Sequence, residues 1–323
     1  MRKAFVTGGA GFVGSHLVER LLAENWRVTV LDNFDPFYDP AIKRRNLAAF
    51  SDSPAFRLIE GDIRDRASLD RARGDYDVVV HLAAKAGVRP SIDDPLTYQE
   101  VNVCGTQNLL EMARAIGVKQ FVFGSSSSVY GVNPDVPWRE DDSVLLPISP
   151  YASTKVSGEL LGHVYSHLYG IGFVALRFFT VYGPRQRPDL AIHRFARQIL
   201  SGEPVTIYGD GRTRRDYTFV DDIVSGIRAA MDFSGSPYEV INLGCGNPVS
   251  LMDMVEAVEG AVGKRAIRHY REEQPGDVPQ TYASIAKARK LLGYEPRIGL
   301  TEGVRSFVSW LQSAAPAGVG AAR

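Results

Sequence analysis

The sequence is poor in the features that would place it among scaffold, membrane or nucleic-acid-binding proteins. Only two cysteines, Cys104 and Cys245, occur in 323 residues. That number excludes a disulfide framework, and without metal-ligand spacing between them no metal site is expected. No apolar run approaches the ~20 residues that cross a bilayer, so no membrane partner is expected. Neither charge is in excess: 37 Lys and Arg face 37 Asp and Glu. The balance gives no indication of nucleic acid or an anionic membrane, so an anionic ligand must meet a local basic cluster. There is no internal repeat. Met1–Val6 runs directly into glycine-rich sequence, without the apolar stretch and cleavage site of a signal peptide. A reduced, cytoplasmic setting is the expectation.

What is present is strand–helix alternation. Ala4–Thr7, Val28–Leu31, Phe56–Ile59, Val78–His81, Phe121–Phe123 and Phe173–Leu176 read as strands apolar on both faces. Val13–Ala23, Ala41–Phe50, Pro95–Ile116 and Tyr151–Leu168 read as the helices between them. The pattern predicts an α/β fold, a doubly wound parallel sheet (Rossmann fold) with ligands at the carboxyl ends of its strands. After Phe179 it loosens into a second, smaller α/β lobe. Ile192–Leu200, Asp221–Met231, Leu251–Val262 and Gly303–Leu311 look helical there, and Glu239–Leu243 looks like a strand returning to the large sheet. Residues 1–179, rejoined by 217–244, are expected to form the sheet domain. Residues 180–216 and 245–312 are expected to form the substrate lobe, and 313–323 a disordered tail.

Glycines 8, 11 and 14 lie between the first strand and the first helix. There they permit a tight turn, close approach of backbone to a pyrophosphate, and close helix–strand packing. The N–H groups at Phe12 and Val13 open the helix and offer positive charge to phosphate. Asp32 ends the second strand, where a carboxylate accepts ribose hydroxyls and repels a 2′-phosphate, which favours NAD over NADP. Lys43, Arg44 and Arg45 nearby pull the other way; Lys43 is counted with the cofactor residues. Asn33 follows Asp32, and Asp62-Ile63 at the end of the third strand is a candidate bracket for adenine.

Tyr151 and Lys155 sit four apart at the start of a helix, which puts phenol and ammonium on one face. A Lys⁺ and a positive nicotinamide ring both favour phenolate, so the tyrosine pKa is expected to fall towards neutrality. Upstream, the Ser125–Ser128 run follows the fifth strand, where a hydroxyl can hydrogen-bond the reacting oxygen.

Thr7–Gly14, Asp32-Asn33, His81–Ala84, Val101-Asn102, Ser125–Gly131 and Tyr151–Lys155 together resemble the extended short-chain dehydrogenases that act on nucleotide sugars. The resemblance runs from Arg2 to about Leu311. It implies resident NAD⁺, Tyr151 as base, Lys155 as its partner and ribose anchor, and Ser126 as hydroxyl donor, with Ser128 sharing or replacing it. It also implies that Leu82, Ala83, Ala84, Lys85, Asn102 and Phe178 line the cofactor, and that the chain pairs as a homodimer.

A second absence narrows the reaction. Related dehydratases carry an Asp-Glu pair in the serine motif and related decarboxylases a Glu, whereas this chain has Ser127 and Ser128. Without a carboxyl group there, reversible oxidation at C4 remains, and Ser127 becomes a candidate substrate contact. Asp32–Asp39, Ala86–Ser91, Arg177–Pro184, Arg187–Asp189 and Gln274–Pro279 resemble the UDP-glucuronate 4-epimerases, with UDP-glucuronate and UDP-galacturonate as the substrate pair. Lys85, where many of those enzymes have Gln, and Arg185-Gln186 depart from that pattern. Arg89, Arg185 and Arg187 are expected in loops at the sheet's carboxyl edge, with Thr180 and Arg187 favoured for the sugar carboxylate. By resemblance, Val205 and Ile207 would hydrogen-bond uracil through their backbone and Tyr208 would stack on it, while Arg215 would meet the diphosphate and Gln274 and Asp277 the uridine ribose. The rival readings are a UDP-glucose or UDP-N-acetylglucosamine 4-epimerase, then a dehydratase or decarboxylase, and a non-catalytic NAD sensor.

Overall fold

The computed structural model describes residues 1–142, 146–272 and 278–314. Seven parallel strands form the central sheet: β1 (Lys3–Thr7), β2 (Arg27–Asp32), β3 (Phe56–Glu60), β4 (Val78–His81), β5 (Gln120–Ser126), β6 (Gly172–Phe178) and, after four shorter strands, β11 (Tyr238–Leu243). Their order is β11-β6-β5-β4-β1-β2-β3, so the chain reverses direction between β1 and β4 and opens a crevice at their carboxyl ends. Period-two alternation in each strand divides the core. Ala4 and Val6 face one apolar layer with Val28, Val30 and Val80, while Phe5 faces the other with Leu31, Val79 and Phe121.

Helices cover both faces: α1 (Phe12–Ala23), α2 (Pro40–Ala48), α3 (Arg66–Ala72), α4 (Val88–Asp93), α5 (Pro95–Gln99), α6 (Gly105–Ile116) and α7 (Pro150–Tyr169). The single helix expected over Pro95–Ile116 is broken by a π-helical turn at Glu100–Cys104. That turn brings Asn102 round to Lys85 and α7, a tertiary demand that the apolar pattern does not record.

Beyond β6 the remaining strands pair as short ribbons. β7 (Thr180–Tyr182) pairs with β10 (Tyr217–Phe219), β8 (Val205–Tyr208) with β13 (Arg268–Arg271), and β9 (Arg214–Arg215) with β12 (Val249–Ser250). Helices α8 (Ala191–Ser201), α9 (Val220–Ala230), α10 (Leu251–Val262), α11 (Ala286–Leu292) and α12 (Leu300–Ala314) pack among them. Asp216, fully buried, ties this region together: its carboxylate accepts the N–H groups of Cys245, Gly246 and Ala283. Helix α12 runs through Ser313 and Ala314, two residues into the stretch expected to be disordered. Among the described residues no helix is long and apolar enough to cross a membrane, and no His/Cys/Asp/Glu cluster could hold a metal ion.

Candidate active site

A cavity of about 540 Å³ occupies the crevice at the strand ends. Its floor is the turn after β1. Gly8 has φ +71°, and a Cβ there would meet the Ala83 backbone nitrogen at 2.6 Å. At Gly14 a Cβ would collide with the Gly8 carbonyl oxygen and meet Gly9 Cα at 2.8 Å. Side chains are excluded, so the backbone itself forms the cavity wall. Gly11, the N-cap of α1, supplies no side-chain cap, which leaves the first N–H groups of the helix pointing at the cavity for an anion.

Gly8, Gly11, Phe12, Val13, Gly14, Asp32, Asn33, Lys43, Asp62, Ile63, Leu82, Ala83, Ala84, Lys85 and Phe178 line this space. Asp32 accepts the Ala10 N–H at 3.0 Å and the Phe34 N–H at 2.9 Å. Burial pushes its carboxyl up, opposed by those N–H groups and Lys43. Asn33 donates to Asp62 at 2.9 Å. Across the mouth runs the β2–α2 loop: Lys43 donates to the Asp35 carbonyl at 2.8 Å, and Lys85 lies 3.3 Å from the Asp35 carboxylate. Phe37 and Tyr38 on that loop also line the cavity and were not among the residues singled out from the sequence.

Asn102 does not line the cavity as expected. Its side chain accepts the Lys85 N–H at 2.8 Å and donates to the Lys85 carbonyl and the Thr154 hydroxyl, both at 3.0 Å. It thereby locks the segment carrying Lys85 to α7, acting on the site through the backbone. Deeper still, Thr106 donates to the Asn102 carbonyl at 2.6 Å and so receives the His81 Nε2 proton at 2.9 Å. His81 Nδ1 then accepts from Thr7 at 2.7 Å.

Ser126, Ser127, Ser128, Tyr151, Lys155, Thr180 and Arg187 line the same cavity. Ser149 caps α7 through the Ala152 N–H at 3.1 Å, and Pro150 starts the helix, which sets Tyr151 in its first turn. The Ser126 hydroxyl lies 3.1 Å from that of Ser128, and both residues line the cavity with Tyr151. Burial pushes the Tyr151 phenol up, opposed by the Ser126 hydroxyl and the Arg187 charge. Lys155 turns its ammonium to the Gly124 carbonyl at 2.7 Å, and its nitrogen sits 5.8 Å from the Tyr151 ring centre. Burial lowers Lys155 to about 8, with Glu159 one turn further on holding it up.

The three arginines part company. Arg187 reaches the cavity, with its guanidinium 5.2 Å from the Phe37 ring centre. Arg185 instead turns to Glu19 on α1 at 2.6 Å, because its positive φ of 63° aims it away from the crevice. Arg89, expected in a loop, sits on the short helix α4 and lies 5.9 Å from the Tyr208 ring centre, outside the cavity lining. Val205 and Ile207 bury their side chains in the core, which leaves only their backbone for a ligand, while Thr206 and Tyr208 are half-buried and do not line the cavity. Arg215 donates to the Arg214 carbonyl at 2.9 Å. Gln274 and Asp277 lie outside the described residues.

The profile of the NAD dependent epimerase/dehydratase family matches residues 4–244. A probable UDP-glucuronate 4-epimerase of Rhizobium meliloti is 42% identical, over 94% of this chain and 95% of its own. A UDP-glucuronate 4-epimerase of Thermodesulfobacterium geofontis is 43% identical, over 94% of each. The crystal structure of UDP-glucuronic acid 4-epimerase from Bacillus cereus, in complex with UDP-glucuronic acid and NAD, is similar with a TM-score of 0.91 at 39% identity. The match covers 96% of this chain and 99% of that one.

Proposed function

The chain belongs to the NAD-dependent epimerase/dehydratase family, and from that premise we propose that it inverts C4 of UDP-glucuronate to give UDP-galacturonate. One observation carries the choice of sugar: Arg187 and Thr180, a guanidinium and a hydroxyl suited to a carboxylate, line the cavity that also holds Tyr151 and Ser126. The absence of any carboxyl side chain at Ser127 and Ser128 favours epimerisation over elimination or decarboxylation.

The glycine-walled turn, the open N–H groups of α1 and Asp32 fit a dinucleotide diphosphate and its adenosine ribose. When bound there, NAD would supply the hydride acceptor and donor for C4. In this reading Tyr151 takes the C4 hydroxyl proton and later returns it, with Ser126 hydrogen-bonded to the same oxygen. Because burial holds the phenol up, Tyr151 can act as a base only where positive charge stands beside it, which is the part assigned to Lys155. Arg187 and Thr180 hold the C5 carboxylate. With a ketone at C4 that group belongs to a β-keto acid, which keeps its CO₂ only while the C5–C6 bond stays near the ketone plane. Arg215 is assigned to the diphosphate and β8 to uracil.

Two copies pair, in the same proposal, through α6 and α7. Leu160, Val164 and Leu168 form an i, i+4, i+8 stripe on α7 and are 60%, 45% and 61% exposed, more apolar surface on one helix than a lone chain usually shows. Both cysteines are free, which suits a reducing compartment such as the cytoplasm. The function is tested by incubating the protein with UDP-glucuronate or UDP-glucose and following H4 by NMR. Formation of UDP-galacturonate supports the proposal, and turnover of the neutral sugar alone refutes it.

A further inference from the structure

We propose that Asp189 is a positioning residue for the uronate-binding arginine: it grips one edge of the Arg187 guanidinium so that the remaining N–H groups meet the C5 carboxylate in one fixed orientation. The inference rests on the reading that the substrate carries a carboxylate at C5.

Asp189 accepts Arg187 Nε at 3.0 Å and Nη2 at 2.6 Å, one oxygen for each nitrogen. A guanidinium has five N–H donors, so this bidentate grip takes two and leaves three. Arg187 lines the cavity and Asp189 does not, so the gripped edge faces away from the ligand space. The grip is on a short leash. Only Pro188, with its fixed φ, separates the pair, and the Leu190 N–H closes the turn onto the Arg187 carbonyl at 3.2 Å. Phe37 lies under the guanidinium at 5.2 Å. The cation is therefore held along an edge and a face together.

Sequence position argues that this arrangement is not incidental. Asp189 stands just before α8, where an aspartate ordinarily caps the free N–H groups of the helix. The N-cap is instead Leu190, which offers no side-chain cap, and both Asp189 oxygens turn back to Arg187. A capping bond is forgone for a second anion on an arginine assigned to bind an anion. That is a poor arrangement for affinity, since the two carboxylates repel, and a good one for orientation.

Orientation matters because of what the 4-keto sugar can do. If the C5–C6 bond swings perpendicular to the ketone, it breaks and its electron pair moves to the C4 oxygen as an enolate. CO₂ leaves, and a proton from water adds at C5, giving a 4-ketopentose. A loosely held Arg187 permits that rotation.

The test compares wild type, Asp189→Asn and Asp189→Glu on UDP-glucuronate, measuring CO₂ and UDP-4-ketopentose against UDP-galacturonate. Affinity for UDP-glucuronate is measured separately by titration calorimetry. Asp189→Asn is expected to raise the fraction of turnovers losing CO₂ about tenfold or more, as a misplacement of about an ångström would. Its Kd should stay within about fivefold of wild type, because losing a repelling anion offsets the looser grip. Asp189→Glu should restore most of the wild-type partition, which a merely structural role would not require. If Asp189→Asn does not accumulate folded, Asp189→Ser carries the same comparison. A wild-type partition in a folded variant lacking the carboxylate overturns the inference. Wild-type protein that forms no UDP-galacturonate overturns the functional reading beneath it.

Discussion

Replacing Glu159 by Gln tests how the catalytic helix is anchored. The Glu159 carboxylate accepts Arg177 Nε at 2.9 Å, Arg177 Nη2 at 2.7 Å and the Ser125 hydroxyl at 2.5 Å. The two side chains are only 3% and 4% exposed, so water cannot substitute for a lost partner. Removing the negative charge strands a buried guanidinium, at a cost of about 3–5 kcal/mol. At about 2.1 cal/mol/K per residue, unfolding 323 residues gains about 0.7 kcal/mol/K, so calorimetry should find Tm lowered by about 4–7 °C. The same charge holds the Lys155 ammonium up against burial, which already brings it to about 8. Without Glu159 that proton is lost at lower pH, and the alkaline limb of kcat should move down with it. The pair Glu159→Leu with Arg177→Met removes both charges and should recover most of the lost stability while leaving the limb displaced. A Tm drop under about 1 °C would refute the Glu159–Arg177 anchor, and an unmoved alkaline limb would refute this account of Lys155.

Two further outcomes follow from the cavity floor and the histidine buried beneath it. His81 is buried, and desolvation, then the Lys155 charge, lower it from 6.5 to about 3. Between those values the unfolded chain binds a proton that the folded chain refuses, so stability must fall as pH drops through that window and be unaffected above it. The loss should be about 2–3 kcal/mol between pH 7 and 4.5, read by urea unfolding, and smaller in His81→Asn; a wild-type pH dependence matching that variant's would contradict the burial of a neutral ring. Gly14→Ala puts a methyl into the Gly8 carbonyl oxygen, a backbone atom that cannot move aside. That variant should purify without dinucleotide, which chromatography of the denatured protein detects; one equivalent of NAD still bound would contradict the assigned floor.

Much of the sheet was legible because its strands are short apolar runs bounded by turns, and parallel strands buried on both faces leave that trace. The glycine turn was legible for a related reason: backbone crowding at Gly8 and Gly14 admits only one residue type. What escaped were features set by tertiary contact. Arg89 looked like a loop residue because Gly87 and Pro90 flank it, yet Pro is tolerated in the first turn of a helix, and α4 begins at Val88. Arg185 and Arg187 are two apart in one loop with the same chemistry. Only a left-handed backbone at Arg185 sends one to Glu19 and leaves the other in the crevice. The desolvation of Tyr151 was not legible either, because pairing with Lys155 is visible as spacing whereas the depth of burial is not. Phe37 and Tyr38 stood in a motif quoted for its resemblance. A signal for them was available in two aromatics on a polar loop after the second strand, close in sequence to Asp32.

The central claim is that the Tyr151 oxygen takes the C4 hydroxyl proton of a bound UDP-hexuronate, and Tyr151→Phe removes that oxygen alone. The account predicts a variant that melts like wild type, still carries its dinucleotide, and forms UDP-galacturonate at least about a thousandfold more slowly. A folded, cofactor-loaded Tyr151→Phe protein that epimerises UDP-glucuronate within about tenfold of the wild-type rate would contradict it.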